Sequence, residues 1–307
     1  MKTLRLNKNQ LQEAARILFQ GGLVVFPTET VYGLGANGLD EQAVMNIFIA
    51  KGRPSDNPLI LHIHDAAQLD DIVQHVPDSA KILIKTYWPG PLTLVFQKQS
   101  HIPRNVTAGL STVAVRMPNS DIALELLRMV DLPLAAPSAN RSGRPSSTKV
   151  EHVFEDLDGH VDAIIDGGSS VIGIESTVLD VTTDPPTLLR PGTITKQQIE
   201  TVLGYPISTS QESHQPKSPG MKYKHYQPHA TVYWRTGDVE RIRQEAMTCK
   251  GTVSVIEQPH ENEFYDLLRQ QDNQNIAHVF IITNTPNQLS EGFVDRLQKA
   301  SMNYKHR

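Results

Sequence analysis

Short apolar runs that alternate with amphipathic segments fill the first two hundred residues and restrict the fold more than any other feature. Apolar spacing and capping residues predict helices near 8–20, 41–50, 66–75, 78–86, 120–130 and 148–157. The runs between them are typical of strands: LVVF, PLILHI, PLTLVF, TVAVRM, PLAAPS, AIIDGG and STVLDV. Strands that alternate with helices indicate an α/β domain built on a largely buried, mixed sheet.

A proline-rich segment interrupts this alternation. Residues 206–229 contain four prolines among Ser, Gln and Lys residues, a composition that predicts a linker rather than a core element. Three further apolar runs, TVYW, TVSVIE and HVFIIT, alternate with helical stretches near 238–248, 263–270 and 287–300. The sequence therefore predicts a first domain at 1–205, a linker at 206–229 and a small α/β domain at 230–307.

The composition of the 307-residue chain narrows the class of protein. A hydrophobic fraction of 39% supports a buried core, and no apolar run approaches the roughly 18 residues of a membrane span. Cys249 is the single cysteine, so no intramolecular disulfide is possible, and we expect a cytoplasmic protein. The formal net charge of −4 disfavours a protein that holds nucleic acid through its overall field.

Gly33, Gly35 and Gly38 form a G-x-G-x-x-G pattern, the fingerprint of dinucleotide binding. That fingerprint needs its glycines in a tight turn directly between a strand and a helix, with an acidic residue about 20 positions later. Here the preceding strand ends near Phe26, seven residues before the first glycine, and Lys51 and Arg53 stand near the place of the acidic residue. We therefore interpret the glycines as a sharp loop that allows close approach of the backbone to a ligand.

Cationic and polar side chains follow this stretch. Pro54 favours extended backbone before it, and in an extended segment Lys51 and Arg53 point to the same side. Asn57 and His62 lie just beyond them. A fixed pair of cations suits a polyphosphate, although a solvated surface pair is the plainer alternative.

Polar groups also stand at the ends of later predicted strands. Arg116 lies near the end of TVAVRM and Arg190 ends LLR, positions where open sheets bind ligands and where an arginine suits a carboxylate. Residues 135–148 place hydroxyls, Asn140 and two arginines in a Gly/Pro loop of the kind that holds phosphate oxygens. The alternatives are an edge-strand arginine in solvent and an ordinary polar turn that leads to a helix cap.

Several catalytic motifs are absent from the sequence. It has no G-x-S-x-G elbow and no Walker A motif, which argues against an α/β-hydrolase and a P-loop NTPase. Its twelve histidines show no H-E-x-x-H or comparable spacing, so we expect no metal held by protein ligands.

Six motifs, in this order along the chain, resemble the threonylcarbamoyl-AMP synthase family of YrdC-domain proteins. They are FPTETVYGLGAN, KGRPSDNPLILHI, TVAVRMP, PSANRSGRPSST, IESTVLD and LLRPG. The later SPGMKYKHYQP resembles the linker of the family's long form, which carries an additional C-terminal domain. The resemblance implies an N-terminal α/β domain with a twisted mixed sheet and a concave substrate groove, plus a small Rossmann-like C-terminal domain.

The resemblance also implies a nucleotidyltransferase that joins L-threonine, bicarbonate and ATP into threonylcarbamoyl-AMP and pyrophosphate. Mg²⁺ is expected to be held mainly by the phosphates of ATP. The product is expected to feed a separate transferase complex that modifies a tRNA adenosine next to the anticodon, with at most weak direct contact between this chain and tRNA.

Site residues follow from the matching motif positions. The implied threonine site comprises Thr30, His62, Arg116, Ala136 and Ser176. The implied ATP site comprises Lys51, Arg53, Asn57, Thr112, Ser138, Asn140, Ser146, Arg190 and Tyr226. Lys51 and Arg53 are expected to stabilise charge on the phosphates during catalysis.

Three further hypotheses accompany this interpretation. Residues 215–229 could act as a lid, with Tyr223 and Tyr226 sealing the site against water. An RNA-binding module without catalysis is an alternative, based on arginines that converge on a concave sheet, and it predicts steeply salt-dependent RNA binding. Carbamoyl transfer from carbamoyl phosphate is another, but related enzymes of that kind carry zinc-finger and acylphosphatase-like modules that this chain lacks.

Overall fold

The computed structural model describes residues 2–210, 226–283 and 285–301, and over these residues it contains two β-sheets. The strands of the large sheet are β1 Leu4–Leu6, β2 Val24–Phe26, β3 Gly33–Asn37, β4 Ile60–His62, β5 Leu92–Gln97, β6 Thr112–Arg116, β7 Leu134–Ala135, β8 Ala163–Ile165, β9 Thr177–Asp180, β10 Thr187–Arg190 and β11 Ser208–Thr209. Their order across the sheet is β1-β8-β2-β3-β7-β4-β6-β5-β9-β10-β11, with parallel and antiparallel pairs. The predicted mixed sheet is therefore confirmed.

Helices cover both faces of the large sheet. They are α1 Leu11–Phe19, α2 Glu41–Lys51, α3 Leu69–Ile72, α4 Asp78–Tyr87, α5 Asp121–Val130, α6 Val150–Leu157 and α7 Lys196–Leu203. Side chains on a strand alternate between faces, and β2 shows the result. Val24 and Phe26 pack with α1 and α5, whereas Val25 packs in the core that includes α2, α4 and α6. The near-continuous apolar runs in the sequence reflect strands that are buried on both faces.

The glycine-rich segment is a strand and not the predicted loop. Gly33–Asn37 pairs antiparallel with β2, and Gly33 lies opposite Phe26. A Cβ on Gly35 would stand 2.7 Å from the Phe26 ring, so the missing side chain makes room for that ring. Residues 27–32 are the turn that joins the two strands. This turn, rather than the glycines, carries the polar threonines of the motif.

The segment with Lys51 and Arg53 also differs from the prediction of an extended chain. Asp40 caps α2 by accepting hydrogen bonds from the backbone N–H groups of Gln42 and Ala43. Lys51 is the last residue of this helix, and Gly52 ends it in the left-handed region at φ 58°. Pro54 restricts only the residue before it, so it does not extend the chain back to Lys51.

The second sheet belongs to the small C-terminal unit. Its strands are β12 Thr231–Thr236, β13 Val253–Glu257 and β14 His278–Thr283, in the order β12-β14-β13 and all parallel. Its helices are α8 Val239–Met247, α9 Phe264–Asn273 and α10 Glu291–Ala300. Helices α9 and α10 pack on one face and α8 on the other. The small α/β unit that the sequence predicts is present.

The region between the two units was the least predictable from sequence. Helix α7 was not predicted, and β11 pairs with β10 beyond the predicted domain end at residue 205. Of the predicted linker, residues 211–225 lie outside the described part of the chain, so the domain boundaries stay a prediction. Among the described helices, none is both long enough and apolar enough to cross a membrane.

Candidate active site

A cavity lies at one edge of the large sheet, where β4, β6 and β10 end and β9 begins. The space between its walls, counted out to the solvent-exposed mouth, is about 670 Å³. Predicted site residues that line it are Thr30, Arg53, His62, Arg116, Ala136, Ser138, Asn140, Ser146, Ser176, Arg190 and Tyr226. Its mixed polar and apolar lining suits a small polar ligand.

Two neighbouring parallel strands build one end of the cavity. His62 and Arg116 are register partners at the ends of β4 and β6, so they share a face of the sheet. Arg116 donates hydrogen bonds from Nη1 to Thr30 Oγ1 at 2.9 Å and from Nε to the Gly90 carbonyl at 3.1 Å. Its Nη2 lies 2.7 Å from Glu29 Oε1, in an ion pair that is almost wholly buried. These contacts fix the guanidinium beside the cavity.

His62 is a neutral imidazole in this setting. Burial, together with the nearby Arg116 charge, lowers the pKa of His62 to about 3. Its Nδ1 lies 3.2 Å from the Ile60 carbonyl, which can only accept, so Nδ1 carries the proton and Nε2 is left as an acceptor. The end of the cavity with Arg116 and His62 therefore offers one fixed cation and one neutral acceptor.

Lys51 shapes the loop that follows β7. Its Nζ donates to the carbonyl oxygens of Ser138 and Asn140, the second at 2.5 Å, and the Ser142 amide donates back to the Lys51 carbonyl. Ser138 Oγ donates to Asn140 Oδ1 at 2.6 Å. Burial, reinforced by the Arg53 charge, lowers the pKa of Lys51 well below its usual value. In this structure Lys51 holds the loop that presents Ser138 and Asn140 to the cavity.

Three further arginines also line the cavity, and we name the part that they line its basic end. Arg53 donates from Nη2 to the carbonyl oxygens of Asn57 and Pro58. Arg190 donates from Nη2 to the Ser176 carbonyl at 2.9 Å. Arg144, one of the two arginines noted in the 135–148 loop but not among the predicted ATP contacts, pairs with the fully buried carboxylate of Asp156. This end is the more basic part of the cavity and suits an anion such as a polyphosphate.

Glu175 lies behind the basic end and was also missed by the sequence analysis. Its carboxylate accepts from Ser146 Oγ at 2.5 Å, from Tyr265 Oη at 2.9 Å and from Arg296 Nε at 2.7 Å. Burial opposes ionisation, but the charges of Arg296 and Arg190 prevail and lower the pKa of Glu175 to about 2. Tyr265 and Arg296 come from the C-terminal unit, so both units build this end.

Some predicted residues lie outside the cavity wall. Of the described residues predicted to bind ATP, Lys51, Asn57 and Thr112 do not line it. Thr112 begins β6, whereas Arg116 ends it, so the two stand at opposite ends of one strand. Asn57 is fully buried, and its side-chain amide makes no hydrogen bond to a described residue. Tyr223 lies outside the described residues.

The missed residues differ in the signal they leave in the sequence. Glu29 stands in FPTETV next to Thr30, and Glu175 stands in IEST next to Ser176, so a search for carboxylates beside the predicted residues would find both. Arg296 and Tyr265 leave no local signal, because they reach the site from 121 and 90 residues away from Glu175. Among the described residues, no three His, Cys, Asp or Glu side chains cluster as metal ligands.

Two family models match the chain. The model Sua5_yciO_yrdC, which bears the description "Telomere recombination", matches residues 16–192. The model Sua5_C, described as "Threonylcarbamoyl-AMP synthase, C-terminal domain", matches residues 194–302. Together they cover both units of the structure.

Similar proteins carry the name threonylcarbamoyl-AMP synthase. That of Bacillus subtilis (strain 168) is 54% identical over 245 residues, which is 78% of this chain and 70% of that protein. That of Pyrococcus abyssi is 50% identical over 245 residues, or 78% of this chain and 72% of that protein. The crystal structure of P. abyssi Sua5 complexed with L-threonine matches with a TM-score of 0.90 at 40% identity and covers 98% of both chains.

Proposed function

This chain belongs to the threonylcarbamoyl-AMP synthase family, and from that membership we propose how its cavity holds the substrates. The enzyme is an ATP-using synthase of the nucleotidyltransferase type, which joins L-threonine, bicarbonate and ATP into threonylcarbamoyl-AMP and pyrophosphate. L-Threonine occupies the end with Arg116 and His62, and the phosphates of ATP occupy the basic end.

At the threonine end, Arg116 pairs with the substrate carboxylate. The guanidinium is already oriented by Glu29 and Thr30, so little side-chain freedom is lost on binding. Neutral His62 accepts a hydrogen bond at Nε2 without adding a second positive charge. Ser176 and the backbone of Ala136 complete the predicted contacts with threonine.

At the nucleotide end, Arg53 and Arg190 face the phosphates, and Ser138, Asn140 and Ser146 supply neutral polar contacts. Tyr226 also lines the cavity and contributes the nucleotide contact predicted for it from the sequence. Lys51, which was predicted to touch phosphate, contributes here by fixing the loop with Ser138 and Asn140. The ATP contacts predicted for Asn57 and Thr112 remain predictions.

The reaction needs positioning and charge neutralisation more than a protein nucleophile. The threonine nitrogen bonds to the carbon of carbon dioxide, formed from bicarbonate, and loses a proton to give a carbamate. A carbamate oxygen then attacks the α-phosphorus of ATP, and the bond from that phosphorus to the bridging oxygen of pyrophosphate breaks. Arg53 and Arg190 stabilise the negative charge that moves onto the leaving pyrophosphate.

Mg²⁺, which the family implies, fits this site as a companion of ATP. The carboxylate of Glu175 lines the cavity, but it already accepts from Ser146, Tyr265 and Arg296. The ion would therefore be held by phosphate oxygens and water, and when bound it would supply further neutralisation of the phosphates. We also propose that the product passes to a separate transferase complex that modifies tRNA.

The observation that carries this proposal is one cavity that is lined by a fixed, buried arginine, Arg116, and by three further arginines. The purified protein is incubated with ATP, Mg²⁺, bicarbonate and L-threonine, and threonylcarbamoyl-AMP is measured by rapid mass spectrometry. Product that requires all three substrates is expected. Product that forms without L-threonine, or no product with the complete mixture, would contradict the proposal.

A further inference from the structure

One buried arginine of the C-terminal unit contacts residues that line the nucleotide end of the cavity. Arg296 lies on α10, and its side chain is fully buried. Its Nε donates to Glu175 Oε2 at 2.7 Å, and its guanidinium carbon lies 5.2 Å from the centre of the Tyr226 ring. Tyr226 also stacks on Tyr265 at 5.3 Å between ring centres. Arg296 therefore contacts two residues that line the cavity, although it does not line the cavity itself.

Glu175 links Arg296 to a residue that faces the nucleotide. The carboxylate that accepts from Arg296 also accepts from Ser146 Oγ, one of the predicted ATP contacts. Without Arg296, a buried carboxylate would lose a charged partner and its orientation. Ser146 and the Tyr226 ring would then lose their fixed positions together.

The backbones of the two units meet closely beside this contact. A Cβ on Gly292, in the first turn of α10, would lie 2.8 Å from the backbone of Gly192. A Cβ on Gly173 would collide with the backbone of Asn262, which follows β13. Both contacts come from the carboxyl ends of the strands of the small sheet, the edge at which open α/β sheets usually bind ligands. Here that edge binds the first unit.

We propose that Arg296 is a positioning residue for ATP, and that the C-terminal unit serves this reaction by docking at Gly192 and holding Glu175 and Tyr226. This inference rests on the proposed function, because it assigns ATP to the basic end. At the threonine end, the Arg116 side chain is held by contacts within the first unit, namely those with Thr30, Glu29 and Gly90. The proposal therefore predicts that ATP binding and threonine binding respond differently to changes in the C-terminal unit.

The first test uses the full chain with Arg296→Met and Arg296→Lys. Calorimetric titrations with α,β-methylene-ATP and with L-threonine give the two affinities, and steady-state kinetics give KM for each substrate. Arg296→Met is expected to weaken nucleotide binding at least tenfold, as for a lost hydrogen bond to a buried charge, with threonine affinity within twofold of wild type. Arg296→Lys, which keeps the charge, is expected to recover part of the nucleotide affinity. Arg243→Met is the matched control, because Arg243 pairs with Glu257 on the exposed side of the same unit.

The second test keeps every polar side chain and changes the docking of α10, which carries Arg296. Gly292→Ala favours the helix on propensity alone, yet its methyl group would push α10 away from Gly192. It is expected to weaken nucleotide binding at least tenfold while threonine affinity stays within twofold. If Arg296→Met fails to fold, this variant still tests whether the docking of the C-terminal unit affects nucleotide binding.

The outcomes separate the two proposals. Unchanged nucleotide affinity in the folded variants, or a parallel loss of both affinities, would overturn the positioning role. If the wild-type protein forms no threonylcarbamoyl-AMP and does not bind the ATP analogue, the proposed function itself fails. An active wild type with unaffected variants would leave the proposed function intact and refute only the role of Arg296.

Discussion

At the scale of single residues, Arg116 is the clearest link between contacts and substrate choice. It is buried, oriented by three neighbours and placed at the cavity wall. We expect Arg116→Ala to raise the threonine concentration for half-maximal rate by about ten- to a hundredfold, because a charge-assisted pair with the carboxylate is lost. The KM for ATP should change much less. Kinetics with Arg128→Ala, an exposed arginine, provide the control, and an unchanged threonine KM would contradict the assignment.

The neutral state of His62 makes a second prediction at this scale. The unfolded chain protonates this imidazole near pH 6.5, whereas the folded chain does so only near pH 3. As the pH falls below 6.5, the unfolded state gains a proton that the folded state resists, so folding is destabilised by about 1.4 kcal/mol per pH unit. The free energy of unfolding, measured with urea, should therefore fall more steeply between pH 7 and pH 4 for wild type than for His62→Asn. His101→Asn, at an exposed site, should keep the wild-type slope, and equal slopes for all three proteins would refute the prediction.

At the scale of elements, apolar periodicity predicted most strands and helices. One strand, β3, was predicted as a loop because of its glycines. Strand β3 reads GLGAN, and glycine disfavours a strand, so the segment was expected to be a loop. What makes it a strand is a non-local contact, because Phe26 of β2 packs where the side chain of Gly35 would be. In the same way, the fixed position of Glu175 depends on Arg296, 121 residues away. No local pattern encodes either contact.

The packing of β2 on β3 can be tested directly. Gly35→Ala should destabilise the protein by about 1–3 kcal/mol, because the new methyl group overlaps the Phe26 ring. In a Phe26→Leu background the same change should be less harmful, since the smaller side chain leaves space. A double-mutant cycle measured by chemical denaturation should give a coupling of about 0.5–3 kcal/mol. Simple additivity would show that Phe26 is not the cause.

At the scale of the whole molecule, buried charges join the two units. Arg269 of α9 is almost fully buried and donates from Nη2 to Asp156 at 2.6 Å and to the Pro145 carbonyl at 2.6 Å. Asp156 also pairs with Arg144 at the cavity wall. Val31 of the first unit packs in the core of the second. A buried charge that loses its partner is strongly destabilising, so we expect neither unit to separate easily from the other.

The two tryptophans of the chain make this coupling measurable, because Trp88 lies in the first unit and Trp234 in the second. In Trp88→Phe and Trp234→Phe variants, the remaining indole reports the unfolding of one unit. The two fluorescence transitions in urea should coincide while the interface is intact, as in a cooperative transition. Adding Arg269→Met should move the Trp234 transition to lower urea than the Trp88 transition. The reason is that Asp156 remains bound to Arg144 within the first unit, whereas the small C-terminal unit loses one of its buried polar contacts with the first unit. If the Trp88 and Trp234 transitions still coincide with Arg269→Met present, the two units are coupled through other contacts of the interface.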